Sequence, residues 1–364
     1  FKQKTAYEIR LSLVGSEMCI RDRSNAMQNK LLNSPITFPK TLPDGYYYIK
    51  DEPTYDSNIH LELELPKKSL SLSDLGYTKD EIDKCPTNFG VSGPAKLLSD
   101  EGVRILMQSA QSLRKFTSSG GERIQYLLRG CVYRSRFLRD LCLCPKVSEF
   151  LSEIYGIPVA PHSVPLHLGH FNFAPDDLSR AVDKWHTDTI GLDYVMMVSD
   201  PNKQIGGQFQ YFLGTKKEAQ EIKDSNQSMP EDRIISPHFP GPGYIIVLQG
   251  NMVVHRGAKL KEPYDRVTMV NAYVPLELDS SDPSRFSDVK TVDPHQLLFP
   301  EWARHKAWLS RGKLNRLIEE LPFTDDKDLI ISELKNAISD VETAISDLSE
   351  SGSGEQNFYG DLEQ

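Results

Sequence analysis

Cysteine is scarce in this chain, long apolar runs are missing and positive charge is thin. Each shortage removes a class of answer. Five cysteines stand in 364 residues, at 19, 85, 131, 142 and 144, with no Cys-x-x-Cys pair. That excludes a disulfide-stapled secreted scaffold. Cys142 and Cys144 could chelate an ion, but core thiols are the simpler reading. The apolar run Leu11–Val14 is too short for a membrane span or a secretory core. With no export signal, a reducing cytoplasm is the expected location. Forty-two Lys and Arg against 51 Asp and Glu give a net charge of −9. No stretch is basic enough to override that balance, so a nucleic-acid partner is excluded. Internal repeats are also missing, which removes the solenoids.

What is present falls into zones. Ser24-Asn25-Ala26 ahead of Met27 looks like a cleaved purification tag, and residues 6–23 resemble translated sequencing adaptor. Residues 1–26 are therefore set apart. From 27 to 161 the texture is mixed. SDEGVRILMQSAQSL predicts a helix over 99–113, capped by Ser99 or Asp100, with Val103, Leu106, Met107 and Ala110 at helical spacing. Residues 129–155 repeat that habit with Leu138, Leu141 and Phe150. Tyr46, Tyr47 and Tyr48 read as a strand.

From 162 to 292 short β-like runs alternate with Gly, Pro and Asp: VPLHLGHFNF, DYVMMVS, GQFQYFL, GYIIVLQ, MVVHR and RVTMVNAYV. Strands of this length must close on one another. The expected architecture is a mostly β core with α flanks, a double-stranded β-helix or jelly roll with N-terminal helices packed on it. A helical extension follows over 293–350, its first helix stopped by Pro322. In it Ile331, Leu334, Ile338, Val341, Ile345 and Leu348 keep 3,4,3,4,3 spacing. Docking of that seam on its own domain is the plainer reading; a homodimer through residues 331–348 is the other. The SESGSGEQ stretch predicts a disordered tail over 351–364. Removal of residues 325–364 is expected to leave metal binding intact.

The chemistry concentrates in few residues. His186 and Asp188 stand two apart, so on an extended segment imidazole and carboxylate share a face. His255, in MVVHRG at the expected end of a short strand, supplies a second imidazole. These are the ligand types of a mononuclear non-haem Fe(II) site, two His and one carboxylate with open positions. Arg266 and Thr268 also share a face. A guanidinium fork suits bidentate carboxylate binding, and the hydroxyl could add a hydrogen bond. Bland readings exist for each: a satisfied core His, a buried structural Trp185, an edge-strand Arg in a surface ion pair. The conjunction argues against them. In the Gly206–Phe212 strand, Phe209 and Tyr211 lie on one face and Gln208 and Gln210 on the other, with the inward face left open. His167 and His170, three apart, would face opposite sides of a strand. One of them, or Asn172, could still line the pocket. His162, His238, His295 and His305 show no ligand spacing and read as structural or exposed.

His-x-Asp, a Gly-Gly strand, His-Arg-Gly and Arg-x-Thr, in that order over about 166–275, resemble the Fe(II)/2-oxoglutarate-dependent dioxygenase superfamily. The phytanoyl-CoA-hydroxylase-like and prolyl-hydroxylase-like branches are the nearest in flavour. The resemblance implies that His186, Asp188 and His255 hold Fe(II), and that Arg266, supported by Thr268, pairs with the distal carboxylate of 2-oxoglutarate. It further implies use of dioxygen, release of succinate and CO2, and hydroxylation of a small-molecule substrate. Desaturation, epimerisation and ring formation stay open, while Asp188 leaves no vacancy for a halide. A protein hydroxylase and a non-catalytic scaffold assembling through its C-terminal helix are the rival readings.

Overall fold

The computed structural model describes residues 35–277 and 280–363; the segment 1–26 set apart above lies outside them. Eight strands matter for the site: β1 (His170–Phe173), β2 (Ala181–His186), β3 (Leu192–Met197), β4 (Phe209–Phe212), β5 (Ile234–Ile235), β6 (Tyr244–Leu248), β7 (His255–Lys259) and β8 (Val267–Pro275). They divide between two antiparallel sheets. One runs β6-β3-β8-β1 and is widened to eleven strands by flanking segments such as Ile124–Leu128 beside β1. The other runs β5-β4-β7-β2.

Period-two alternation decides what each face of the larger sheet meets. Leu192, Tyr194 and Met196 of β3, Met269 and Tyr273 of β8, and Phe171 and Phe173 of β1 join one cluster. Helices α1 (Asp100–Leu113), α2 (Arg136–Cys142) and α3 (Pro145–Tyr155) cover it with Leu106, Phe137, Leu141 and Leu151. The opposite residues, Val195 and Met197, join Phe209, Tyr211 and Ile246 between the two sheets. The inward face of the Gly206–Phe212 strand is therefore the Phe209/Tyr211 face.

Helix boundaries follow their local chemistry. Ser99 accepts from the Gly102 N–H and starts α1, the side-chain cap its residue type provides. Pro145 at the first turn of α3 splits the predicted 129–155 helix in two. Two further helices, α4 (Phe286–Lys290) and α5 (His295–Glu320), lead to α6 (Lys327–Ser349), which folds back on α5 as a hairpin. The chain becomes extended at Leu321, ahead of Pro322.

Three expectations are corrected. Tyr46–Tyr48 form no strand. Their rings serve cations instead: the Arg134 guanidinium lies 4.2 Å from the Tyr46 centroid and that of Arg136 4.7 Å from Tyr48. The strand around His255 begins with that residue rather than ending on it. The 351–363 stretch is not a loose tail. Ser287 Oγ of α4 donates to Glu355 O (3.1 Å), and the stretch then meets the edge of β2 at one bridge, where Trp185 N–H donates to Gly360 O (3.0 Å) and Tyr359 N–H to Trp185 O (2.7 Å). Glu363 ends it on Arg256 (2.6 Å) and Lys259.

Candidate metal and anion site

β2 and β7 bring the two histidines together, since His186 pairs with His255 in register. Their rings lie 4.2 Å apart. Each Nδ1 faces a main-chain carbonyl two residues back, Lys184 O at 2.6 Å and Val253 O at 2.9 Å. A carbonyl only accepts, so Nδ1 carries the proton and Nε2 is left as a donor pair for an ion. Asp188 follows the end of β2 and is held by its N–H on Gly250 O (2.9 Å). Its Oδ1 lies 3.5 Å from His186 Nε2 and its Oδ2 3.2 Å from His255 Nε2. One donor atom from each of the three falls within 4.8 Å of the others, a group able to hold a metal ion.

Burial works against the Asp188 charge, yet the two neighbouring imidazoles, His255 foremost, hold its pKa well below the usual carboxylate range. Burial also opposes protonation of His255, and Asp188 outweighs it and raises that pKa. Burial and the Arg123 charge depress His186. The donor set is thus already polarised around one carboxylate.

A bulge explains how a further acid reaches the pocket. Three positions on β2 (Asp183 to His186) oppose two on β7 (Gly257 to His255), so residues of odd spacing face the same way. Asp183 takes a bidentate pair from Arg123 at 2.8 and 3.0 Å, and Arg123 also approaches Asp188 Oδ1 at 3.8 Å. Behind Asp188 the fully buried Asp193 is pushed above the carboxylate range by desolvation and then by the Asp188 charge. Gly250 leaves room for both acids: a Cβ there would lie 2.3 Å from Asp193 Oδ2 and 2.7 Å from Asp188 Oδ2.

The pocket continues to Arg266, just ahead of β8. Its side chain is 2% exposed, and its Nε donates to Gly207 O at 2.8 Å. The paired glycines have their reason here. Both hold positive φ (81° and 67°), and a Cβ on Gly207 would sit 2.7 Å from Leu260 Cδ2 and 3.2 Å from Arg266 Cδ. Among the described residues no carboxylate forms an ion pair with Arg266. Burial drives its pKa from 12.5 down to about 10, with only Asp183 acting the other way. Thr268 lies on the inner face of β8, opposite Asn172 in register. Asn172 Oδ1, His170 Nε2 and His167 Nε2 are buried without a partner along this wall.

The structure thus gathers His186, Asp188, His255, Arg266 and Thr268 in one cavity. His167 and His170 share it too, contrary to the strand reading: a 3-10 turn at Pro165–His167 and a positive φ of 62° at Gly169 turn both inward. His162 and His305 are structural, the latter bridging Ser163 Oγ (2.6 Å) and Asp282 Oδ2 (2.9 Å). Arg123, Asp183 and Asp193 carried no local signal in sequence. Gln356 and Asn357, from the presumed tail, also line the cavity. The described cysteines are unpaired thiols, Cys131, Cys142 and Cys144 being buried.

No protein-family model matches the chain and no curated protein is similar to it. Solved structures similar to part of it include the non-haem alpha-ketoglutarate-dependent epimerase SnoN from nogalamycin biosynthesis. It is 13% identical, with 54% of this chain and 86% of that one covered, at a TM-score of 0.38. HygX from Streptomyces hygroscopicus, with nickel, 2-oxoglutarate and hygromycin B bound, is 15% identical over 55% and 88%, at 0.36. AviO1 from Streptomyces viridochromogenes Tue57 is 14% identical over 57% and 96%, also at 0.36.

Proposed function

We propose that the protein is a non-haem Fe(II)- and 2-oxoglutarate-dependent oxygenase that hydroxylates a small molecule. The observation that carries this reading is a buried guanidinium without a protein anion, set in the same cavity as two imidazoles and a carboxylate converging on one point. Stranding a charge in the interior is costly unless a partner arrives, and a dicarboxylate reaching the metal at one end would supply it at the other. We read the two facing sheets as a jelly roll; their strand orders and the position of the histidines at neighbouring strand ends support that.

In this reading His186, Asp188 and His255 hold one face of the ion, and Arg266 with Thr268 fixes the distal carboxylate. Bound iron and co-substrate would supply the oxidising chemistry, with dioxygen as oxidant and succinate and CO2 as products. The protein orients and excludes water. Arg123 keeps Asp183 charged and in place and approaches Asp188 Oδ1 at 3.8 Å. Neutral His170, its pKa depressed to about 3 by burial and by Arg129 and Arg123, offers Nε2 for hydrogen bonding. Val289 of α4 together with Gln356 and Asn357 walls the cavity, an enclosure that suits a small molecule better than a polypeptide. Among the described residues no helix is long and apolar enough to cross a membrane.

The test is anaerobic titration with Fe(II) and 2-oxoglutarate, watching for the weak visible charge-transfer band of the chelate. Its appearance, with loss in Asp188→Ala, is the expected result. Absence of the band in folded, iron-loaded protein would refute the assignment and favour a non-catalytic scaffold.

A further inference from the structure

Helix α6 docks on α5 through a face other than its apolar seam. Ala337 and Ala344 are buried against the hairpin partner, Asp340 pairs with Lys313 at 2.8 Å, and Asp347 accepts from Trp302 Nε1 at 2.9 Å. About a quarter turn round the helix, at 100° per residue, the six seam residues all face solvent, from Val341 at 37% exposure to Ile345 at 62%. A contiguous run of exposed large apolar residues of this kind marks an interaction surface.

We propose that this stripe pairs with the same stripe of a second copy of the chain, antiparallel about a two-fold axis near Ile338 and Val341. The pattern is its own complement when reversed. Ile331 meets Leu348 of the partner subunit, Leu334 meets Ile345 of the partner subunit, and Ile338 meets Val341 of the partner subunit. Each layer joins one isoleucine to a leucine or valine, and no polar residue interrupts the seam. An isologous contact requires such self-complementarity. Charge agrees with the geometry. Lys335 and Glu342 flank the seam on the side away from α5, both are exposed, and neither has an ion pair within the protomer among the described residues. In the antiparallel arrangement each Lys335 faces the partner's Glu342, twice by symmetry. In a parallel arrangement Lys335 and Glu342 would lie on opposite flanks of the seam and form no such pair. The two helical hairpins would then form a four-helix bundle that uses none of the candidate metal ligands, so the inference stands whether or not the proposed function does.

Sedimentation equilibrium on the full chain across the micromolar range tests it, beside Ile338→Asp and Lys335→Glu. The expected results are a dimer for the unaltered protein, and a halved mass for Ile338→Asp with an unchanged circular dichroism spectrum. Lys335→Glu should weaken the dimer, and Lys335→Glu combined with Glu342→Lys should restore it. A monomeric unaltered protein overturns the proposal, as does a dimer that survives Ile338→Asp. A dimer indifferent to both charge changes overturns the antiparallel register.

Discussion

Arg266→Gln should stabilise the ligand-free protein while crippling its response to 2-oxoglutarate. In the fold the pKa of Arg266 falls from 12.5 to about 10. A shift of that size at about 1.4 kcal/mol per unit is roughly 3 kcal/mol, and a residue 2% exposed earns little solvent screening. The sign follows from linkage. The folded state binds this proton less tightly than the unfolded chain, so the deficit is complete at every pH below about 10 and shrinks only above it. Glutamine is neutral and can still donate to Gly207 O. Removing the cation should therefore raise the melting temperature of the apo protein, by about 2 °C or more for each kcal/mol recovered. The bound state behaves oppositely. Loss of one partner of a buried charge pair costs about 2–5 kcal/mol, equivalent to at least a tenfold weaker affinity. Differential scanning fluorimetry with Fe(II), anaerobically, with and without 2-oxoglutarate, reads both quantities. The unaltered protein should be the less stable alone and the more stabilised by co-substrate. A variant that melts lower when free, or that keeps the full co-substrate shift, would refute the idea of an uncompensated cation awaiting an anion.

Three other outcomes follow from the same structure. Gly250→Ala alters no ligand, yet its Cβ would press on Asp188 and Asp193; Fe(II) affinity should fall at least tenfold, and isothermal titration giving normal affinity would count against the packing described. Glu301, buried against Tyr133 and the Leu166 N–H, has its pKa pushed up to about 7 by desolvation. Its folded form prefers the proton, so the protein loses stability as pH rises from about 4.5 to 7. Glu301→Gln should flatten that loss, by about 3 kcal/mol at ~1.4 kcal/mol per unit; urea melts in which the two proteins differ equally at pH 5 and pH 8 would contradict it. Deleting residues 355–364, which the sequence alone marks as dispensable, should speed hydrogen exchange at the Trp185 N–H, now bonded to Gly360 O. Unchanged protection at that amide would mean the segment does not hold the β2 edge.

The convergence of His186, Asp188 and His255 was legible because its signal is local and chemical. Two of its members stand two apart, and the third directly follows the apolar run Met252–Val254. The capping serine of α1 and the proline at the start of α3 act within one turn, which a sequence displays directly. Arg123 and Asp193 act only through neighbours distant along the chain, so nothing beside them announces a role. β2 went unseen as a strand because its bulge breaks the alternation between Asp183 and His186. The 351–363 segment misled through composition. Gly, Ser and Gln bury little side chain, but the end of this stretch is held by main-chain pairing at Trp185, by Tyr359 and Leu362 packed beside that ring, and by Glu363 on Arg256 and Lys259. The seam of α6 was read correctly in its spacing, while its docking face proved to be the small and acidic residues beside it.

The late arrival of that segment sets an order of events during synthesis. β2, which carries His186, has an open hydrogen-bonding edge until Gly360 lies beside Trp185, and open edges invite pairing with other chains. Arg256 likewise waits for Glu363, 107 residues further along. At ~5–20 residues per second that interval is about 5–20 seconds on the ribosome. For that time the nascent chain holds His186, Asp188 and His255 but not the segment that walls their cavity. Iron captured early would sit behind an unfinished wall, and a sheet edge left bare for seconds is where a chaperone would have its opportunity.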